Sequence, residues 1–119
     1  KAEAFGISRR DIVVDPLAMA VSSDPQSALV TLESIRLIKE RLGVRTSLGV
    51  SNISFGLPCR DVVTSSFFAL ALQNGLDAAI MNPFSEGMMD VYYSFCALHD
   101  MDSACAEYIA YASSNTSPP

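Results

Sequence analysis

Two textures alternate along this chain. Short, unbroken apolar runs in "DIVVDP", "RTSLGVSN" and "DAAIMNP" each end on a polar residue, Asp15, Ser51 with Asn52, and Asn82. Continuous β-branched or small apolar runs mark strands of a parallel sheet, where both faces are buried and no alternation is needed. They predict strands near 11–15, 46–51 and 78–82. Between them apolar residues recur at helical spacing. Leu29, Leu32, Ile35, Ile38 and Leu42 lead up to Gly43, with Asp24 as N-terminal cap and Pro25 in the first turn, which predicts a helix over 25–42. A second helix is expected over 60–74, stopped by Gly75, and a third over 85–97. Ser85 would cap the third, with Met88, Met89, Tyr92, Phe95 and Cys96 on its apolar side. A short helix is expected over 102–112, and "SSNTSPP", 113–119, reads as a disordered tail.

Strand starts near 12, 46 and 78 give a period of roughly 30 residues, the length of a βα unit with a parallel crossover. The fold class is therefore α/β with parallel strands. Successive units place Asp15, Asn52 and Asn82 at the carboxyl ends of the strands, the face on which such folds bind ligands. A complete (β/α)8 barrel takes about 250 residues, and this chain has 119. Residues 1–112 are accordingly expected to form about three C-terminal βα units of a TIM barrel, followed by the C-terminal helix. "KAEAFGIS" fits the last turn of a preceding helix with its glycine stop. Three strands alone leave two unpaired edges, so the isolated chain is expected to self-associate as a homo-oligomer.

Composition narrows the function classes. Half of the residues are apolar and 18% are charged, as in a globular domain. No apolar run approaches the roughly 18 residues of a membrane span, and no signal sequence opens the chain, so a cytoplasmic protein without membrane contact is expected. Cys59, Cys96 and Cys105 show no CxxC spacing, which points to reduced thiols instead of a disulfide framework or zinc site. The formal charge of −5 and scattered Lys and Arg disfavour nucleic acid as a partner. Nucleotide-loop and hydrolase motifs are missing from the sequence.

The stretches "DIVVDPLAMAV", "TLESIRLIKERLGVRTSLGVSNISFGLPCR" and "LALALQNGLDAAIMNP" closely resemble the pterin-binding barrel of the methyltetrahydrofolate:corrinoid methyltransferases, including the folate domain of cobalamin-dependent methionine synthases. "GVSNISFGLP" is the most specific part. The resemblance implies transfer of the N5 methyl of methyltetrahydrofolate to a cob(I)alamin carried by another domain or subunit. It also implies roles. Asp15 would accept hydrogen bonds from the aminopyrimidine edge of the pterin, as suits an acceptor-only carboxylate. Asn52 would stand beside N5 as the catalytic group, Gly49 and Ser51 would admit the ring, and Arg60 would lie at the rim. Two positions depart from the pattern. Cys59 stands where relatives often carry a polar residue, and Phe55 where some carry a glutamine. Further pterin contacts of that family lie on earlier strands that this chain does not contain.

Each residue also has a purely structural reading. Asp15 before Pro16 and Asn82 before Pro83 both suit turns. Asn52 can satisfy loop backbone groups, and Arg60 can be a solvated helix-start residue. Cys59 near a helix start has no histidine beside it in sequence, and the sole His99 lies in an acidic stretch. Met81, Met88 and Met89 suit core filling. Two other functions compete: a dihydropteroate synthase, whose Lys and His motifs are not visible here, and a non-catalytic, self-associating half-barrel.

Overall fold

A computed structural model of the chain describes residues 1–115. Three parallel strands form one sheet in sequence order: β1 (Val13–Val14), β2 (Arg45–Gly49) and β3 (Ala78–Ile80). Helices α1 (Ser27–Leu42), α2 (Arg60–Gln73) and α3 (Glu86–Leu98) follow them in turn, and α4 (Ala106–Asn115) closes the described chain. Every βα unit expected from the sequence is present.

Register divides the sheet into two unlike faces. Val14 pairs with Thr46 and Leu48 with Ala79 on the covered face. There Leu48 and Val50 pack with Ile35 of α1, Phe67, Phe68 and Ala71 of α2, and Met88 of α3. The opposite face carries the pairs Val13–Arg45, Ser47–Ala78 and Gly49–Ile80. Nothing among the described residues covers it, and Val13 and Ile80 are 58% and 71% exposed. Parallel sheets are ordinarily buried on both faces; among the described residues this one is covered on one face.

The strands are shorter than expected, for local reasons. Residues Arg9–Asp11 form a 3-10 turn capped by Ser8, which leaves β1 only two residues on an edge with one neighbour. After Gly49 the backbone turns into a 3-10 segment, Val50–Ser54, instead of extending to residue 51. Met81 and Asn82 lie beyond β3. Helix α1 begins at Ser27, because Asp24 spends its carboxylate on the Gln26 amide in a separate turn (2.9 Å). Its first turn also departs from the apolar stripe: Leu29 is exposed, whereas Ser27 and Thr31 are buried. Their hydroxyls donate to Met19 O and Leu17 O, both at 3.0 Å, and so hold the β1–α1 loop against the helix.

Several stops follow the expected chemistry. Gly43 ends α1 in the left-handed conformation at φ 65°, and Ser85 caps α3 by accepting from the Met88 amide. Buried Asp102 accepts from the Glu107 and Tyr108 amides, both at 2.9 Å, and thereby starts α4. Helix α4 runs through Ser113 to Asn115, into the stretch expected as a tail. Residues 116–119 lie outside the described residues. At the amino ends of the strands, Asp77 accepts from the Thr46 amide and from Lys39 Nζ, both at 2.8 Å.

Candidate functional site

All three βα loops emerge at the carboxyl end of the sheet, as parallel strands require. The first two are tied to one another. The Val21 amide donates to Ile53 O at 3.1 Å, and the Ser22 hydroxyl donates to Phe55 O at 2.7 Å, which joins the β1–α1 loop to the β2–α2 loop.

Asp15 follows β1 directly and is exposed. Its Oδ1 accepts from the Leu17 amide at 2.8 Å, so one oxygen builds the turn foreseen for an Asp-Pro pair. Its Oδ2 makes no hydrogen bond among the described residues. Asn82 likewise builds a turn, accepting from the Phe84 amide at 3.0 Å.

Ser51 and Asn52 lie on the 3-10 segment after β2. Asn52 is exposed, its backbone carbonyl accepts from the Phe55 amide, and its carboxamide makes no hydrogen bond among the described residues. Gly49 precedes the turn with φ −81°, open to any residue. A side chain built on it would meet no atom within 4 Å. Arg60, first residue of α2, donates through Nε to Ser54 Oγ at 3.0 Å and through Nη2 to Ser51 O at 2.8 Å, with its guanidinium 5.8 Å from the Phe55 ring centre.

A cavity of about 220 Å³ opens between the starts of α2 and α3, lined by Ser51, Arg60, Asp61, Thr64, Asn82 and Ser85 among others. Ser85 Oγ donates to Asp61 Oδ2 across it at 3.2 Å. The structure thus brings Ser51, Arg60 and Asn82 together in one cavity. Asp15, Gly49 and Asn52 stand outside it on the same end of the sheet. Ser54, Thr64 and Asp61 were not singled out in the sequence, although Arg60 and Thr64 already stand one helical turn apart. Ile80, paired with Gly49 on the uncovered face, was also missed because it reads as core.

Cys59, Cys96 and Cys105 are free thiols. No cluster of metal-ligating side chains occurs among the described residues, and none of their helices is long and apolar enough to cross a membrane. His99 lies at the other end of the molecule, after α3, within 2.9 Å of Phe95 O and Gln73 Oε1.

Comparison with known proteins shows the family. The family model described as pterin binding enzyme matches residues 1–82, which hold all three strands and the first two helices. The chain belongs to the pterin-binding enzyme family. Among its relatives is the methylcorrinoid:tetrahydrofolate methyltransferase of Eubacterium limosum, 34% identical over 111 residues, 91% of this chain and 40% of the relative. The methionine synthase of Mycobacterium tuberculosis is 35% identical over 85 residues, 66% of this chain and 7% of that protein. The corresponding Mycobacterium leprae enzyme is 34% identical over the same length. The chain therefore spans well under half the length of the curated relatives it matches.

Proposed function

We propose that this chain is part of a methyltransferase that moves the N5 methyl of methyltetrahydrofolate to cob(I)alamin held by a separate domain or subunit. One observation carries the reading most directly: an exposed carboxamide, Asn52, stands without a protein partner on a firmly tied turn at the carboxyl end of the middle strand. The name of the Eubacterium limosum relative supplies the methyl group and its two carriers as the chemistry to test, written there as passing from the corrinoid to tetrahydrofolate.

In such a transfer the N–CH3 bond breaks with its electron pair remaining on N5, and a new bond forms to the methyl carbon. An amine nitrogen leaves only if it gains positive charge first. The Asn52 carbonyl accepts from a protonated N5 and strengthens that contact as charge develops, while the neutral amide offers no competing nucleophile. The free Oδ2 of Asp15 accepts from the amino-pyrimidine edge. Neither backbone conformation nor packing within the chain calls for glycine at position 49. Room for a flat ring against the strand explains it, with Ser51 beside the ring and Arg60 at the rim.

The uncovered sheet face becomes the interior of a (β/α)8 barrel, of which residues 1–112 form about three C-terminal units. The remaining strands supply the rest of the pterin pocket, since 220 Å³ falls below the roughly 300–1,000 Å³ of a small-molecule site. The corrinoid is held by a separate domain or subunit. Free thiols suit a cytoplasmic setting. The formal charge of −5 disfavours nucleic acid as a partner. A second state is favoured by the same uncovered face: without further strands the chain pairs with its own copies as a homo-oligomer.

The test is replacement of Asn52 by alanine in the full protein that carries this chain. Methyl transfer should slow on the order of 10²-fold or more, with folate affinity changing far less. Equal losses in rate and affinity would reduce Asn52 to a binding contact. Absence of methyl transfer by the unmodified full protein would overturn the function itself.

A further inference from the structure

Behind the Asn52 turn lies a hydroxyl whose bonding capacity is fully used. Ser54 is completely buried. Its Oγ lies 3.1 Å from Ser51 O, 3.0 Å from Arg60 Nε and 2.8 Å from Thr64 Oγ1. A serine hydroxyl has one proton to give and two lone pairs to receive. The Ser51 carbonyl can only accept, so the Ser54 proton goes there. The Arg60 N–H can only donate. Thr64 must then donate as well, which assigns the direction of the bond between the two hydroxyls. Every position around this oxygen is filled.

We propose that Ser54 is a positioning residue for the candidate site, acting through Ser51 and Arg60 to fix where the Asn52 carboxamide stands. Its consequence for methyl transfer rests on the function proposed above, whereas the hydrogen-bond lock itself does not. Arg60 grips both ends of the turn, at Ser51 O and at Ser54 Oγ, and flanks the Phe55 ring. Two of its nitrogens thus serve the turn, and the guanidinium acts as a clamp on the loop more than as a ligand for folate. Thr64, one helical turn beyond Arg60, anchors the same oxygen to α2. The Asn52 carboxamide makes no hydrogen bond among the described residues, so its placement depends on the turn that carries it, which this lock holds together with the Val21–Ile53 and Ser22–Phe55 bonds.

The experiment combines local hydrogen exchange with steady-state kinetics on the full protein carrying this chain. Thr64→Val is nearly isosteric but removes the donor, Thr64→Ser keeps it, and Ser54→Ala removes the hub. The Phe55 and Leu57 amides, bonded to Asn52 O and Ser54 O, should exchange about tenfold faster in Thr64→Val and faster still in Ser54→Ala, as expected for loss of a buried hydrogen bond. Exchange in β2 should hold steady, and Thr64→Ser should restore the slow exchange. In the methyl-transfer assay with methyltetrahydrofolate and cob(I)alamin, Thr64→Val should lower kcat about tenfold with KM nearly constant, and Thr64→Ser should recover most of it. The Thr64 pair decides the matter even where Ser54→Ala does not fold. Unchanged exchange in Thr64→Val, equal loosening in Thr64→Ser, or faster exchange spread through β2 as in global unfolding would overturn the proposal. A full protein with no methyl transfer would overturn the folate reading, leaving the lock to be decided by exchange.

Discussion

At the scale of the residue, one carboxylate at each end of the sheet does a different task. Asp15 divides its oxygens, one accepting from the Leu17 amide and one without a hydrogen bond among the described residues. Asp15→Asn keeps an acceptor for Leu17 but loses the charge. Folate affinity of the full protein should therefore fall roughly 10- to 100-fold with little change in thermal stability, the size of one charged hydrogen bond. A calorimetric titration with unchanged affinity would return Asp15 to a turn residue. Asp77, at the other end, is a matter of stability. Partial burial works to raise its carboxyl, but the hydrogen bonds from Lys39 and the Thr46 amide and the Lys39 charge outweigh it, leaving it below its usual value of 3.8. A lowered folded value means stabilisation that is full above about pH 4 and is lost as pH falls through the folded value. Asp77→Asn should cost about 1–2 kcal/mol at neutral pH and flatten that acid limb, as measured by urea unfolding across pH.

At the scale of the element, α4 depends on a few polar and aromatic contacts. Asp102 starts it, and Tyr111 holds its far half against α3, with its ring stacked on Tyr93 at 4.3 Å and its hydroxyl donating to Asp90 Oδ1 at 2.9 Å. Partial burial and the hydrogen bond to Asp90 push the Tyr111 phenol up from 10.0 to about 12. A raised folded value means that the contact is intact below the unfolded value and weakens as pH rises through the folded one. Helix α4 should stay docked up to about pH 10 and loosen between there and about pH 12. Tyr111→Phe should lose that alkaline transition in near-ultraviolet circular dichroism while keeping α4 at neutral pH. An identical transition in the variant would assign it to another tyrosine.

At the scale of the whole molecule, the chain is open. Its accessible surface is 7915 Å², against about 6,300 Å² for a folded monomer of this mass. Its extents are 61 × 38 × 19 Å. The difference is comparable to the roughly 1,600 Å² of a standard protein interface. Prepared without further strands, the 119-residue chain should sediment as an oligomer, because Val13 and Ile80 are exposed and, among the described residues, β1 and β3 each pair with one strand only. Ile80→Lys on the uncovered face should weaken that association, and a monomer of unaltered chain at high concentration would count against it.

What the sequence by itself determined is what neighbours within about a turn control. The apolar runs around Val13, Leu48 and Ala79 named the three strands, Gly43 and Ser85 named helix ends, and Asp-Pro and Asn-Pro named turns, because caps, torsion preferences and β-branching act locally. The resemblance in "GVSNISFGLP" pointed to the family before the fold was known. Tertiary structure decided the rest. Leu29 and Ile80 carry the signature of core yet face outward, since burial depends on what stands opposite a side chain and not on its own apolarity. Ser27, Thr31 and Ser54 look like surface residues yet are buried, because each finds a carbonyl or hydroxyl partner there. The contacts that assemble the site join residues far apart in the chain: Ser22 to Phe55 across 33 positions, and Asp61 to Ser85 across 24. No local pattern encodes such pairs. They exist because parallel strands bring all three loops to one end of the sheet.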